Sequence, residues 1–256
     1  MRAKKHISKG KMKNQINDFV NLIDLLEENK KFPYYAAERR IDLFISYYIE
    51  QILSDYFNKP VKFVAPEFPI KHDTNNQANK ADILCVFPSS KQPIIVEIKT
   101  DQTSFKSTQL GKYVHSTQNW HQVIGGLRKI VEKSKSDYRV KYFHLVQNLV
   151  KNEVARFSSD NQLLVNEIVK LKDCSSKKGK GERSRKIIRL VKTLEAQWSR
   201  EAIVLYIAPD TTIEKVDEKY KKMDSVHFLR FSDIRIPDPH ISESYHRFVS
   251  FMHKIA

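Results

Sequence analysis

The amino-acid sequence predicts an α/β protein with a mixed central sheet flanked by helices. Three observations lead to this class. Long segments carry apolar residues at helical spacing, and short apolar runs bounded by turn residues lie between them. The 256-residue chain is 41% hydrophobic, which is enough for a sizeable core. It contains only 6 glycines and 9 prolines, which excludes a fibrous or low-complexity protein.

The first elements are predicted to be two helices and a strand. Residues 14–32 and 32–57 both place apolar side chains at helical spacing. The apolar stripe of the second helix consists of Ile41, Ile45, Ile49 and Ile52. Residues 59–70, KPVKFVAPEFPI, predict a strand whose prolines favour the sheet edge or a bulge.

Residues 80–101, KADILCVFPSSKQPIIVEIKTD, predict an antiparallel hairpin. The apolar runs 81–87 and 94–100 are the two strands. They are joined by a short polar turn that has a proline at each end, and proline is a common turn residue.

After the hairpin, the pattern predicts further helices and strands around the same sheet. In chain order they are a helix over 107–134, a strand over 138–149, two helices within 157–198, strands over 201–209 and 224–234, and a helix over 242–255. Gly111, Gly125 and Gly126 are expected to weaken or bend the helix in which they lie.

The chain is expected to form a single domain over residues 1–256. We predict a helical N-terminal extension over 1–32 and a basic loop over 172–187. Cys85 and Cys174 are too few for a disulfide framework, a zinc ribbon or an iron–sulfur cluster. The sequence has no signal-peptide pattern and no apolar run of ~20 residues. We therefore expect a cytoplasmic protein that does not enter a membrane.

The charge of the chain favours a polyanionic partner. Lysine and arginine number 45 against 30 aspartates and glutamates, which gives a formal net charge of +15. Such an excess favours nucleic acid or an anionic membrane surface as the partner, and a merely basic soluble protein is the alternative. Within the predicted loop, one-signed charge makes contact with a phosphate backbone plausible, although a solvated basic surface loop is the alternative. The basic residues there are Lys172, Lys177, Lys178, Lys180, Arg183, Arg185 and Lys186.

Two acids in the hairpin point to a metal site. Glu97 lies among isoleucines and valine, where a carboxylate costs several kcal/mol unless it is compensated. Asp82 begins the partner strand, so the hairpin brings the two acids together. Mg²⁺ prefers carboxylate and carbonyl oxygens, and the backbone carbonyl of Ile98 can supply a further oxygen ligand. Lys99 lies on the same face as Glu97, where it can orient water or stabilise phosphate charge. A solvated strand face with an ordinary ion pair is the alternative.

Asp82 followed by Glu97-Ile98-Lys99 resembles the PD-(D/E)xK phosphodiesterase superfamily, over about residues 36–150. The proline that usually precedes the aspartate is Ala81 here. The resemblance implies a restriction-endonuclease-like αβββαβ core and a Mg²⁺- or Mn²⁺-dependent active site, in which Asp82, Glu97 and Lys99 are catalytic. It also implies a further catalytic and metal-binding acid on the helix before the sheet. Glu38 shares a stripe with apolar residues and is favoured there, and Glu50 is the competitor.

The segment QLGKY resembles the Q-h-x-x-Y motif of the RecB-like nuclease branch. Gln109 and Tyr113 are four residues apart and therefore lie on one face of a helix. The resemblance implies that both side chains border the active site and contact substrate phosphate.

The sequence thus predicts a metal-dependent nuclease that hydrolyses DNA, in phage defence, restriction or repair. RNA is not excluded as a substrate, and the sequence leaves open a homodimer or a larger complex. One alternative is a catalytically inactive nuclease fold that binds nucleic acid or serves assembly. Another is a basic regulatory α/β domain whose ligand site lies elsewhere.

Overall fold

The computed structural model describes residues 38–71, 78–100, 105–158, 161–171, 176–235 and 243–254. The described residues form a mixed five-stranded sheet with helices on both faces, so the predicted α/β class is confirmed. The predicted extension over 1–32 lies outside the described residues.

The longer elements follow the predicted order except over three segments. The strands are β1 (Lys62–Lys71), β2 (Ala78–Val86), β3 (Pro93–Ile98), β4 (Ala155–Phe157), β5 (Leu194–Ala196), β6 (Ile203–Ala208) and β7 (Val226–Arg230). The helices are α1 (Glu38–Phe57), α2 (Ser107–Thr117), α3 (Trp120–Lys133), α4 (Ser136–Lys151), α5 (Gln162–Lys170), α6 (Lys177–Lys192), α7 (Asp210–Glu214), α8 (Glu218–Lys221) and α9 (Glu243–Lys254). The short strands β4 and β5 and the short helices α7 and α8 were not predicted.

The main sheet has the strand order β1-β2-β3-β6-β7. Strands β1, β2 and β3 pair antiparallel, as the predicted hairpin requires, and β3, β6 and β7 pair parallel. Every residue of β3 and β6 is buried, which explains why both strands are apolar apart from Glu97 in β3. β4 and β5 form a separate two-stranded sheet.

Two hydrophobic clusters lie on opposite faces of the main sheet. On one face, α1 and α9 contribute side chains such as Ile45 and Phe248, and the predicted isoleucine stripe of α1 is confirmed. On the other face, α2, α3, α4 and α6 pack around buried side chains such as Trp120. The sheet is thus the middle layer of three. Among the described residues, no helix is long and apolar enough to cross a membrane.

The predicted strand over 138–149 is wrong, because this segment belongs to α4. Its β-branched and aromatic residues favour a strand. However, the buried positions Phe143, Val146 and Leu149 follow one another at intervals of three, which is a helical spacing. Packing of this stripe against α6 and the core overrides the local preference.

The predicted helix over 107–134 consists of two helices, α2 and α3, that meet at Gln118 and Asn119. The side chain of Asn119 accepts the backbone N–H of His121 at 2.9 Å and caps α3. The break therefore comes from a cap rather than from a glycine. Gly126 lies inside α3, where a Cβ atom would approach Cβ of Lys71 to 3.1 Å, so it permits close packing against β1.

The predicted basic loop over 172–187 is helical from Lys177 onward, because α6 begins there. The hydroxyl of Ser176 accepts the backbone N–H of Gly179 at 3.1 Å and caps the helix. Ile187, Leu190 and Val191 at its end are buried and hold it against the core. Residues 172–175 lie outside the described residues.

Candidate active site

The predicted convergence of Asp82 on the end of β3 is present in the structure. The ladder between β2 and β3 ends at the pair Ile83–Val96. Beyond it, Oδ2 of Asp82 accepts the backbone N–H of Ile98 at 2.7 Å. The side chain of Asp82 thus replaces a main-chain acceptor where the strands separate. Because the N–H and C=O of a strand residue point to the same side, the carbonyl of Ile98 also points toward β2.

Glu97 is a buried carboxylate, 3% exposed, that accepts hydrogen bonds from three side chains. Its Oε1 atom lies 2.7 Å from Nζ of Lys99 and 2.7 Å from Nε2 of Gln109. Its Oε2 atom lies 3.0 Å from the hydroxyl of Tyr113. The structure therefore brings three of the predicted site residues to one acid, which compensates the cost of burying its charge.

Tyr113 connects Glu97 to β2. The carbonyl oxygen of Lys80, at 2.6 Å, and Oε2 of Glu97, at 3.0 Å, share the single proton of the Tyr113 hydroxyl. The hydroxyl oxygen accepts a hydrogen bond from Nε2 of Gln109 at 3.1 Å. Burial, together with the charge of Glu97, raises the pKa of Tyr113 well above its usual value of 10.0. The phenol therefore keeps its proton and remains a donor at neutral pH.

Lys99 is buried beside the acid that it pairs with. Its side chain is 8% exposed, and its backbone N–H donates to the carbonyl oxygen of Ile207 in β6 at 2.9 Å. A buried ion pair is stable only when good geometry offsets the loss of hydration. The position of Lys99 between β6 and Glu97 supplies that geometry, so the alternative of a solvated strand face does not hold for this pair.

Tyr206 is a neighbour of Glu97 that sequence reasoning missed. The two residues are paired across the parallel strands β3 and β6. Among the described residues, no group bonds the buried hydroxyl of Tyr206. Burial, followed by the charge of Glu97, raises the pKa of Tyr206. A tyrosine in the middle of the apolar run EAIVLYIAP was the available signal.

The structure describes the side chain of only one of the two candidates for the third metal-binding acid, Glu50. Oε1 of Glu50 accepts the backbone N–H of Phe63 at 2.9 Å, so Glu50 is engaged at the start of β1. Phe63 pairs with Cys85, three residues from Asp82, which argues against Glu50 as a ligand beside Asp82. Glu38 is the first residue of α1, and its side chain lies outside the described residues.

Glu67 is a further residue, an acid, that sequence reasoning missed. Its neighbours Pro66 and Phe68 pair with Ile83 and Ala81, which places Glu67 opposite Asp82 across β1 and β2. Both acids line a cavity of about 480 Å³ beside α1. Glu67 has a left-handed backbone with φ of 46°. The signal was an isolated acid between two prolines in APEFP.

The oxygen atoms around the end of β3 are suitable ligands for a hard divalent cation. No group of three or more His, Cys, Asp or Glu side chains in the described segments is arranged to hold a metal ion. Asp82, Glu97 and the carbonyl of Ile98 nevertheless provide carboxylate and carbonyl oxygens, which are the ligands that Mg²⁺ and Mn²⁺ take. The chemistry of this donor set therefore fits the metal that the resemblance implies.

The predicted basic residues lie on another part of the molecule. α6 packs against α3, α4 and α5, in the helical layer. Lys178, Lys180 and Arg185 are exposed on it, and Arg183 is half-buried. Lys186 pairs with Glu167 at 2.6 Å. Lys177 begins α6, but its side chain lies outside the described residues, as does all of Lys172.

Comparisons of the chain with protein-family models, with curated proteins and with solved structures find no match.

Proposed function

We propose that the protein is a metal-dependent nuclease that hydrolyses phosphodiester bonds of DNA. One observation carries the proposal: the carboxylate of Glu97 is bonded to Lys99, Gln109 and Tyr113, and Asp82 reaches the adjacent backbone at Ile98. The motif residues lie on two strands and a helix, and an incidental sequence pattern would not be expected to bring them together.

The order of elements supports the same proposal. A helix, α1, precedes three antiparallel strands, and α2 comes between β3 and the next strand of the main sheet. This order agrees with the αβββαβ core of the restriction-endonuclease-like fold. The acids lie on β2 and β3, and Gln109 and Tyr113 lie on the helix that follows.

In the proposed site, Asp82, Glu97 and the carbonyl of Ile98 would hold Mg²⁺ or Mn²⁺, with Glu38 as the further acid. An ion bound there would supply Lewis acidity and would lower the pKa of water for hydrolysis of the phosphodiester. Lys99 places a positive charge beside Glu97, where negative charge develops on the phosphate during hydrolysis. Gln109 and Tyr113 orient Glu97 through their hydrogen bonds, and Tyr113 holds its proton.

A cleavage assay tests the proposed function. Supercoiled, linear and single-stranded DNA, and RNA, are incubated with the protein in Mg²⁺, Mn²⁺ or EDTA. We expect cleavage of DNA that requires a divalent ion and is lost in Lys99→Ala. Lys91→Ala is the matched control, because Lys91 also pairs with a glutamate, Glu153, at the opposite end of the hairpin. Equal cleavage by Lys99→Ala and wild type would contradict the assigned site.

A nuclease fold without turnover is the second candidate. The observation that favours it is that Glu97 receives three hydrogen bonds from the chain itself, so the network balances the buried charge on its own. This candidate predicts that DNA binds but is not cleaved with any divalent ion. The same assay, run together with a binding measurement, separates the two candidates.

A further inference from the structure

A groove of about 410 Å³ lies between α4 and β1. Its walls include Pro66, Pro69, Lys80, Tyr138, Lys141 and Tyr142. The volume falls within the usual range for small-ligand sites, about 300–1,000 Å³. The groove is therefore large enough for a nucleotide-sized group and too small for a duplex.

The helical wall of the groove presents aromatic rings to solvent. Tyr138 and Tyr142 are four residues apart on one face of α4. The side chain of Tyr138 is 56% exposed, and Tyr142 is half-buried. Nζ of Lys141 lies 5.7 Å from the ring centroid of Tyr138. An exposed ring beside a lysine can stack on a base while the cation contacts phosphate.

The charges that face the groove are mainly positive. Two lysines, Lys80 and Lys141, line it together with one acid, Glu67. Lys80 pairs with Glu67 at 3.1 Å, but both side chains are well exposed, so the pair is loosely held. Burial raises the pKa of Tyr142, and the nearby charge of Lys80 offsets part of that rise.

The groove adjoins the candidate active site. Pro66 and Glu67 line both the groove and the cavity at Asp82. Lys80 precedes Asp82 by two residues, and its carbonyl oxygen accepts the hydroxyl of Tyr113 at 2.6 Å. A strand that occupies the groove can therefore continue across the ridge formed by Pro66 and Glu67 to Asp82.

We propose that the groove between α4 and β1 binds unpaired nucleotides of a single-stranded nucleic acid. This inference rests on the proposed function and deepens it, because it makes the substrate a single strand or a duplex with a single-stranded end. The exposed ring of Tyr138 in a concave site suits unpaired bases, since the base faces of a duplex are already stacked. The positive charge of Lys80 and Lys141 is complementary to the phosphates between those bases.

Binding in EDTA tests the groove separately from cleavage. The probes are a fluorescein-labelled oligothymidylate of about 12 nucleotides, within the site sizes of single-strand binders, and a blunt duplex of equal length. Fluorescence anisotropy gives the Kd of each. The variants are Tyr138→Ala and Lys141→Ala. The controls are Tyr47→Ala, an exposed tyrosine of α1, and Lys59→Ala, a lysine over the ring of Phe87.

We expect Tyr138→Ala to weaken binding of the single strand about fivefold to 100-fold and to leave duplex binding unchanged. Both controls should bind the single strand as wild type does. Unchanged single-strand binding in both groove variants would overturn the proposal. So would competition by free thymidine monophosphate at the concentration that the oligonucleotide requires, because the groove would then be a mononucleotide site.

A crosslink provides a test that does not depend on a variant. Oligothymidylate carrying 5-iodouracil is irradiated with wild-type protein, and mass spectrometry locates the attached peptide. We expect attachment within Tyr138–Asn148, and attachment only to other segments would contradict the groove. If single strands bind in the groove but no nucleic acid is cleaved with any ion, the proposed binding role of the groove is supported and the proposed nuclease function is contradicted.

Discussion

The hydroxyl of Tyr113 lies 3.0 Å from Oε2 of Glu97, and both side chains are buried. The same hydroxyl lies 2.6 Å from the carbonyl oxygen of Lys80, so one side chain of α2 is bonded to both β2 and β3. These are the strands that carry the two acids of the candidate site. The tyrosine therefore fixes the helix against the part of the sheet where the chemistry is proposed.

Replacing Tyr113 by phenylalanine should lower the free energy of unfolding by about 1–3 kcal/mol, because Glu97 and the carbonyl of Lys80 lose a buried partner. The matched variant is Tyr206→Phe. It removes a buried hydroxyl that no described residue bonds, and it should change stability by less than about 0.5 kcal/mol or increase it. Urea unfolding at pH 7 measures both values. Equal losses in the two variants would contradict the assigned hydrogen bonds.

Alkaline pH should reduce the stability difference between wild type and Tyr113→Phe. Burial and the charge of Glu97 raise the pKa of Tyr113 above 10.0, so the folded state keeps a proton that the unfolded chain loses above pH 10. Stability that depends on this group is present below pH 10. It falls by about 1.4 kcal/mol per pH unit as pH rises above that value.

Urea unfolding between pH 8 and about pH 11.5 measures this effect, over the range in which only the unfolded phenol ionises. Wild type should lose stability more steeply than Tyr113→Phe above pH 10. Parallel curves for the two proteins would show that the phenol is not buried beside Glu97.

Elements whose pattern had one interpretation could be predicted from the sequence. The hairpin, the isoleucine stripe of α1 and the fully apolar strand β6 are as expected, because a buried strand or helix face leaves a clear period. Residues 138–149 were mispredicted because their local preference for strand opposes their packing. The first turns of α6 were also missed, because a lysine-rich run with two glycines predicts a loop.

The sequence predicted which residues belong to the candidate site, but it did not predict the hydrogen bonds that join them. The spacing of Asp82, Glu97 and Lys99 showed which side chains share an end of the hairpin. It could not show that Gln109 and Tyr113 bond the same carboxylate, since that depends on how α2 packs. Tyr206 and Glu67 were missed because each reaches the site only through strand pairing, which a single segment does not reveal.

Removing the ammonium group of Lys99 should leave the buried carboxylate of Glu97 without a cation, and a divalent ion should partly replace that cation. In EDTA, Lys99→Met should lose about 3–5 kcal/mol of stability, because Glu97 remains buried without a cation. Lys91→Met, which breaks a partly exposed pair, should lose less than about 1 kcal/mol. Saturating Mg²⁺ should restore part of the loss in Lys99→Met by binding the folded state.

The double variant Glu97→Gln/Lys99→Met is the control for that recovery. It should be more stable in EDTA than Lys99→Met and should gain little from Mg²⁺, since the carboxylate is absent. Thermal unfolding with and without Mg²⁺ measures all four proteins. An equal gain from Mg²⁺ in the single and double variants would place the ion elsewhere.

The exposed basic residues of α6 should contribute to DNA affinity only through the attraction between their charges and the DNA phosphates. Neutralising Lys178, Lys180 and Arg185 should weaken binding of all sequences alike. It should also reduce the slope of log Kd against log salt by about 0.7–0.9 for each phosphate that the variant no longer neutralises. Lys62→Ala, an exposed lysine of β1, is the control. An unchanged slope in the triple variant would mean that α6 is an ordinary solvated surface.

The most direct test of the nuclease proposal is the rate of DNA cleavage in Mg²⁺ by Asp82→Asn. Asparagine can still accept the backbone N–H of Ile98, so the fold should persist while the charge is lost. We predict a rate at least about 100-fold below that of wild type, with an unchanged circular dichroism spectrum and an unchanged rate in Asp217→Asn, an exposed aspartate at the start of α8. A wild-type rate in Asp82→Asn would contradict the account.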